Sequence, residues 1–198
     1  MPQGVDVSHY SGSINWTDVA KQGISFAFIK ATEGIDWIDP TFKTNWEGAK
    51  QAGLIRGAYH FFVMDDDPQT QADWFVNSIG PLNSYELPPV VDVEQSTTMS
   101  PEAFATKLKT FLAAVESKTG LKPMIYTDPN WWNKHGTDDF GAYPLWIADY
   151  NVGEPTIPTG WNTWTFWQFK GDQSVTGIGA DVDLNLFRGT KEGLGQLN

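Results

Sequence analysis

The sequence contains no cysteine among its 198 residues. A disulfide framework, a thiolate nucleophile and a thiolate metal site are therefore all excluded. The three histidines, His9, His60 and His135, are widely separated and show no metal-ligand spacing. No Gly-x-Ser-x-Gly segment occurs, which argues against a serine hydrolase. We therefore expect no metal and no cofactor, and the chemistry must come from other side chains.

Positive charge is the second scarce feature. Lys and Arg number 13 against 24 Asp and Glu, so the net charge is -11 and the pI about 4.5. Nucleic acid is not an expected partner, because it requires a basic surface that neutralises phosphates. No apolar run approaches the roughly 18 residues of a membrane span, and the first residues show no basic segment followed by an apolar one. We therefore expect no membrane insertion, and either a leader that was removed or none.

The composition that is present suits a folded globular protein. Hydrophobic residues make up 40% and aromatic residues 14% of the chain, which is unlike a disordered segment. A length of 198 residues fits one compact domain. We predict a single domain over residues 1–198 that is a monomer.

Short β-branched and aromatic runs alternate with longer amphipathic segments along the first two thirds of the chain. This alternation is typical of βα units around a parallel sheet. The predicted helices span residues 16–22, 41–52, 68–79 and 101–119, and a loop holds Trp131 and Trp132. The predicted strands span residues 5–7, 25–30, 54–62, 90–94, 123–126, 144–148, 163–169 and 180–186. The pattern predicts an α/β barrel with five βα units and a closing section made of strands alone.

Four acidic residues lie in or at the ends of apolar strands, where an unpaired charge is costly. They are Asp6, Asp92, Glu94 and Asp183. Asp92 and Glu94 are two positions apart on one predicted strand, so their side chains share a face. Asp6 and Asp183 lie on the first and last strands, which are neighbours in a closed barrel. The sequence therefore predicts a cluster of carboxyl groups at one end of the barrel.

Two nearby carboxyl groups suit the hydrolysis of a glycosidic bond, which needs a protonated acid and an ionised partner. Like charges held close do not ionise equally, so one group keeps its proton. Glu94 has the longer side chain and lies nearer the C-terminal rim, where barrel enzymes place their active sites. We therefore assign it as the general acid. A salt-bridged or loop-capping role for Asp92 and Glu94, and a turn hydrogen bond for Asp183, are the structural alternatives.

Aromatic and amide side chains near predicted strand ends are candidates for contacts to sugar. They are Tyr59, Tyr126, Trp146 and Gln168, and their alternative role is in the core. Trp131 and Trp132 could form either a hydrophobic lid or a platform for sugar. His60, between two aromatic residues on a strand, is predicted to be a hydrogen-bonded structural histidine.

Seven motifs in order resemble family-25 glycoside hydrolases, the Chalaropsis-type lysozymes. They are GVDVS at 4–8, IKATEG at 29–34, GAYHF at 57–61, DVE at 92–94, LWIA at 145–148, WQ at 167–168 and VDLN at 182–185. The resemblance implies a modified TIM-like barrel, (β/α)5(β)3, forming one catalytic domain. It also implies N-acetylmuramidase activity that cleaves, with net retention, the β-1,4 bond from N-acetylmuramic acid to N-acetylglucosamine in bacterial peptidoglycan.

The same resemblance implies roles for the four acidic residues. Glu94 would be the catalytic acid, Asp92 its partner, and Asp6 and Asp183 supporting carboxylates. The sequence leaves open whether Asp92 attacks the sugar or orients the substrate's own N-acetyl group to do so. A bacteriolytic enzyme of this kind would be secreted, exported to the cell wall or released as a phage endolysin. The alternatives are a chitinase-like hydrolase and a catalytically silent barrel that binds wall carbohydrate.

Overall fold

The structure, a computed structural model, describes residues 1–83 and 85–197. Its centre is a single sheet that closes into a barrel, because β1 pairs with both β2 and β9. Eight strands form the barrel, and the short β3 pairs only with the outer end of β2. The strands are β1 (Gln3–Val7), β2 (Ile24–Glu33), β3 (Trp37–Ile38), β4 (Ile55–Phe61), β5 (Val90–Asp92), β6 (Met124–Thr127), β7 (Leu145–Ala148), β8 (Phe166–Gln173) and β9 (Val182–Phe187).

Five α-helices follow the first five barrel strands in turn, and a sixth lies near the C-terminus. They are α1 (Trp16–Lys21), α2 (Phe42–Gln51), α3 (Pro68–Ile79), α4 (Pro101–Thr119), α5 (Pro129–His135) and α6 (Lys191–Leu194). In the described chain no α-helix separates β7, β8 and β9. Strand β9 runs antiparallel to both neighbours, whereas the other barrel strands pair in parallel. This order confirms the predicted (β/α)5(β)3 barrel.

The helix boundaries follow from capping residues that the sequence displays. Asp67, the last residue of an acidic turn, caps α3 by accepting the Thr70 backbone N–H at 2.8 Å. Ser100 caps α4 in the same way, because its hydroxyl oxygen accepts the Ala103 backbone N–H at 3.3 Å. Both helices continue with proline at the first position, where no backbone N–H is needed. No helix in the described residues has the length and apolar character to cross a bilayer.

The prediction of a loop around Trp131 and Trp132 is wrong, because this segment forms helix α5. Asp128 caps this helix by accepting the backbone N–H groups of Asn130 and Trp131, both at 2.9 Å. Trp132 is fully buried, and its ring lies edge-on to Trp161 at 4.6 Å. Trp131 and Trp132 are both buried and therefore form a hydrophobic layer against the barrel. Seven residues are too few for helical periodicity to be recognised in a sequence.

The N-terminal half of the barrel interior is filled by aromatic rings. The Phe28 ring contacts the Phe166 ring edge-on at 5.0 Å. Glycine makes room for these rings: a Cβ on Gly57 would lie 2.7 Å from Phe28, and one on Gly4 would overlap Phe26. Among the described residues the polar side chains of the barrel interior, such as Asp92, Gln168 and Asn185, lie in the opposite half, at the C-terminal ends of the parallel strands.

His60 lies on the outer face of β4, between the sheet and the helices. Its Nδ1 lies 2.8 Å from the Thr32 hydroxyl, its Nε2 lies 3.1 Å from Gln71 Oε1, and its ring stacks on Phe111 at 5.1 Å. Complete burial lowers the pKa of His60 to about 3, so the ring is neutral. The prediction of a hydrogen-bonded structural histidine is confirmed.

Candidate active site

Four carboxyl groups lie at the C-terminal end of the parallel strands, which we call the mouth of the barrel. The Cα atoms of Asp6 and Asp183 are paired across the antiparallel β1–β9 ladder. Asp92 is the last residue of β5, and Glu94 follows two positions later. The charges of Asp183 and Glu94 both raise the pKa of Asp6, so the groups lie within electrostatic reach. The predicted cluster is present.

Strand β5 is shorter than the predicted 90–94, because it ends at Asp92. The next backbone N–H, of Val93, still donates to the Tyr126 carbonyl at 2.9 Å, so the chain continues alongside β6. Alternation of side chains along extended backbone then directs Glu94 to the same side as Asp92. The charge of Glu94 is the second largest cause of the raised pKa of Asp92, after burial.

Asp92 and Glu94 differ in depth. Asp92 is only 7% exposed, and its Oδ1 atom has no hydrogen-bond partner in the described chain. Burial, followed by the charge of Glu94, raises the pKa of Asp92 well above its usual range. Glu94 stays accessible to solvent at the rim, and partial burial followed by the charge of Asp128 raises its pKa. In the unliganded protein Asp92, the more buried group, is therefore protonated more readily than Glu94.

Lys30 is the cation that faces this pair. It is 8% exposed, its Nζ donates to Glu33 Oε2 at 2.6 Å, and it lies 4.9 Å from the Phe61 ring centroid. Its charge lowers the pKa of both Asp92 and Glu94. The ion pair of Lys30 is with Glu33. Among the described residues neither Asp92 nor Glu94 forms a salt bridge, so the salt-bridged alternative is not what the structure shows.

Asp6 is held by two amide side chains. Gln168 Nε2 and Asn185 Nδ2 both donate to Asp6 Oδ2, at 2.8 and 2.7 Å. Burial, followed by the charge of Asp183, raises the pKa of Asp6 to about 7, although the two amide hydrogen bonds lower it. Asp6 therefore titrates near neutral pH, unlike an ordinary carboxyl group.

Asp183 is contacted by the end of β8 and by the turn that follows β7. Its Oδ1 accepts the backbone N–H of Asp172 at 3.1 Å, and its Oδ2 lies 3.2 Å from the Tyr150 hydroxyl, whose single proton it shares with the nearer Gln168 Oε1 at 2.6 Å. Asp172 has a φ of +54°, which is uncommon for a residue other than glycine. Burial is the largest cause of the raised pKa of Asp183. These hydrogen bonds replace the turn within residues 181–183 that was the structural alternative.

The four residues predicted to contact sugar fall into two groups. Tyr126, Trp146 and Gln168 are 8%, 2% and 2% exposed and lie inside the barrel, beneath the carboxyl groups. Tyr59 is only partly buried and lines a recess of about 150 Å³ beside Asp6 and Asp183. Of the four, Tyr59 is therefore the one placed at a surface that a ligand can reach.

Three residues of the mouth were missed by the sequence reasoning. Tyr150 donates to Gln168 Oε1 at 2.6 Å, and Asn185 Oδ1 accepts the Trp146 indole N–H at 2.8 Å. Asp128 lies near Glu94 and raises its pKa. Asn185 ends the VDLN motif, and Asp128 precedes a proline in a pattern typical of a helix start. Both residues could therefore have been recognised from the sequence. Tyr150 could not, because its partners are 18 and 33 positions away.

Three recesses surround the mouth. Beside the one at Asp6, a recess of about 370 Å³ is lined by His9, Trp37 and neighbours. Another of about 310 Å³ lies between Met64 and Gln95. A larger recess, about 430 Å³, lies at the start of β4 around Leu54, away from the carboxyl groups. Chemistry rather than size therefore identifies the mouth as the candidate active site. The described residues contain no cluster of three metal-ligating side chains.

Comparison with known proteins gives a consistent result. The family model described as glycosyl hydrolases family 25 matches residues 5–178. The chain is 40% identical over 200 residues to lysozyme M1 of Streptomyces globisporus, covering 95% of this chain and 68% of that protein. It is 33% identical to the N,O-diacetylmuramidase of a Chalaropsis species, covering 84% and 86% of the two chains. The crystal structure of a bacterial lysozyme from Streptomyces coelicolor superposes with a TM-score of 0.95 at 39% identity, covering 99% and 96%.

Proposed function

The chain belongs to the family-25 glycosyl hydrolases and is a glycoside hydrolase of the lysozyme type, and from this we propose the details of its reaction. Its substrate is bacterial peptidoglycan, and it cleaves the β-1,4 bond from N-acetylmuramic acid to N-acetylglucosamine with net retention. Glu94 is the general acid, Asp92 its partner, and Asp6 and Asp183 support them. Residues 1–198 form its catalytic domain, and it acts as an exported monomer that lyses bacterial walls.

The observation that carries this proposal is the unequal pair at the end of β5. Glu94 stands at the rim, where a leaving oxygen can approach, whereas Asp92 lies buried beside it. General acid catalysis requires hydrogen-bond reach to the leaving oxygen, and this accessibility favours Glu94. The raised pKa of Glu94 keeps part of its population protonated above the range usual for glutamic acid.

The proton has to move between the two groups before the reaction. Asp92 is the drier group and holds the shared proton better in the unliganded protein. A sugar bound over the mouth removes solvent from Glu94 and supplies polar groups to Asp92. Both changes favour a protonated Glu94 and an ionised Asp92, which is the combination that cleavage requires.

Asp92 can serve a retaining reaction in two ways. Its carboxylate can attack the anomeric carbon, or it can accept the N–H of the substrate's acetamido group while the acetamido oxygen attacks. In both routes Glu94 protonates the departing oxygen, and water then attacks the anomeric carbon and opens the intermediate. Both routes use an ionised Asp92 and both give net retention. A substrate with a less nucleophilic acetamido oxygen separates them, because only the second route depends on that oxygen.

The acidic surface affects how the enzyme meets its substrate. A net charge of -11 opposes approach to anionic wall polymers. Screening limits this repulsion to about 8 Å at physiological ionic strength. We therefore expect lysis to become faster as salt is raised from low ionic strength.

The test is to digest purified peptidoglycan and identify the new reducing ends by mass spectrometry. We expect muramic acid at the reducing end, whereas glucosamine there or release of free peptides would overturn the proposal. The matched variants are Glu94→Gln and Glu102→Gln, which make the same change at the mouth and on the exposed start of α4. Glu94→Gln should lower kcat at least a hundredfold with the fold intact, and Glu102→Gln should keep full activity.

A further inference from the structure

Gln168 and Asn185 contact the same oxygen of Asp6, and the donors and acceptors around each amide determine its orientation. The Trp146 indole N–H is only a donor, so the Asn185 atom that faces it at 2.8 Å must be the carbonyl oxygen. Ionised Asp6 can only accept, so Gln168 must present its NH₂ group to it, which leaves Gln168 Oε1 facing the Tyr126 and Tyr150 hydroxyls at 2.8 and 2.6 Å. Both amide NH₂ groups are therefore directed at Asp6.

The two oxygens of Asp6 consequently differ. Oδ2 accepts both amide N–H groups, which are donors only. Oδ1 accepts no hydrogen bond from any residue that the structure describes. A recess of about 150 Å³ lies beside Asp6 and is also lined by Tyr59 and Asp183. A water molecule occupies about 30 Å³, so this recess has room for a sugar substituent of a few heavy atoms.

We propose that Gln168, Asn185 and Tyr150 are positioning residues that hold Asp6 with Oδ2 saturated and Oδ1 presented to a hydroxyl group of the bound sugar. This inference rests on the proposed function and deepens it. It changes the role of Gln168 from a direct sugar contact to a residue that acts through Asp6. Tyr150 is the outer end of the chain of hydrogen bonds, and the residue is 42% exposed at the mouth.

The charged surroundings explain why the amides matter. The ionisable groups that interact with Asp6 come from several elements of the mouth: the carboxyl groups of Asp92, Glu94 and Asp183 and the phenols of Tyr59, Tyr126 and Tyr150. The carboxylate charges oppose ionisation of Asp6, whereas the phenols, whose pKa values lie above 10, are uncharged in the range in which Asp6 titrates. The two amide donors counter that effect by stabilising the ionised form.

The direct test is an NMR titration of the Asp6 carboxyl carbon, identified by its loss in Asp6→Asn. Asn185→Leu and Gln168→Met each remove one donor from Oδ2, so the pKa of Asp6 should rise above its starting value of about 7. Tyr143→Phe is the control, because it removes a hydroxyl outside the mouth and should leave the titration unchanged. An unchanged pKa in both mouth variants would overturn the proposal.

Activity gives a second readout on purified peptidoglycan. Gln168→Met should lower kcat/KM at least tenfold, and the limb of the pH profile that Asp6 controls should move to higher pH with the pKa. Tyr150→Phe removes only the hydroxyl group and preserves the packing of the ring, and it should lower kcat/KM several-fold. A loss of activity with no movement of the pH profile would indicate a merely structural role and refute the inference. Because the titration needs no substrate, failure of the wild type to release muropeptides would count against the proposed function alone.

Discussion

Replacement of Asp6 by asparagine should stabilise the protein at neutral and alkaline pH but not at acid pH. The pKa of Asp6 is about 7 in the fold, against an ordinary value of 3.8. Each pH unit between these values corresponds to about 1.4 kcal/mol, so ionised Asp6 disfavours folding by up to about 4 kcal/mol above pH 7. Asparagine keeps an oxygen that can accept from Gln168 and Asn185, and it carries no charge.

The pH dependence of this gain follows from the two pKa values. Below pH 3.8 Asp6 is protonated in both the folded and the unfolded chain, so the variant gains nothing. Between pH 3.8 and 7 the unfolded chain loses its proton first, and the advantage of Asp6→Asn grows. Above pH 7 the advantage is constant. Partial exposure of Asp6 to solvent reduces the expected gain to about 1 to 3 kcal/mol.

Thermal unfolding followed by circular dichroism at several pH values measures this effect. For a chain of this length about 1 kcal/mol corresponds to a change in Tm of roughly 2–4 °C. We expect Asp6→Asn to raise the Tm by several degrees at pH 8 and by nothing at pH 3.5. Asp65→Asn, at an exposed position before α3, is a control. An equal effect of Asp6→Asn at both pH values would refute the reasoning.

Three further predictions concern the core, the reaction and metal ions. Trp132→Ala should lower the free energy of unfolding by about 3 to 5 kcal/mol in urea titrations, because the side chain is fully buried, whereas Tyr85→Ala, 75% exposed, should change it little. If the acetamido oxygen is the nucleophile, N-trifluoroacetyl substrates should be cleaved at least a hundredfold more slowly than N-acetyl ones, and near-equal rates would favour attack by Asp92. EDTA should leave the rate of wall lysis unchanged, and a loss restored by a divalent cation would show that a metal takes part.

The barrel could be predicted because the patterns that indicate its strands and helices occur along the whole chain. Apolar strands alternate with capped amphipathic helices, and errors at single boundaries leave the order intact. Helix α5 and strand β3 were missed because seven and two residues show no period. Their formation depends on packing, such as that of Trp132 against Trp161, and on pairing with β2.

The acidic residues of the site could be predicted from the sequence, but their burial and their hydrogen-bond partners could not. A spacing of two residues shows that Asp92 and Glu94 share a face, yet it does not show which is drier. That difference arises because β5 ends at Asp92 and leaves Glu94 at the rim. The amides around Asp6 come from β8 and β9, at the far end of the chain, 162 and 179 positions away. Contacts over such separations exist only once the barrel has closed.

The phenylalanine-filled half of the barrel limits how a long polymer can be processed. With the far end blocked, a strand of glycan has no path through the molecule and can only lie across the open end. Such a strand needs no free terminus to be gripped, and both new ends leave from the side on which the strand arrived. Cuts are then expected anywhere along a strand, and a wall would lose its mechanical strength well before much of its mass had dissolved.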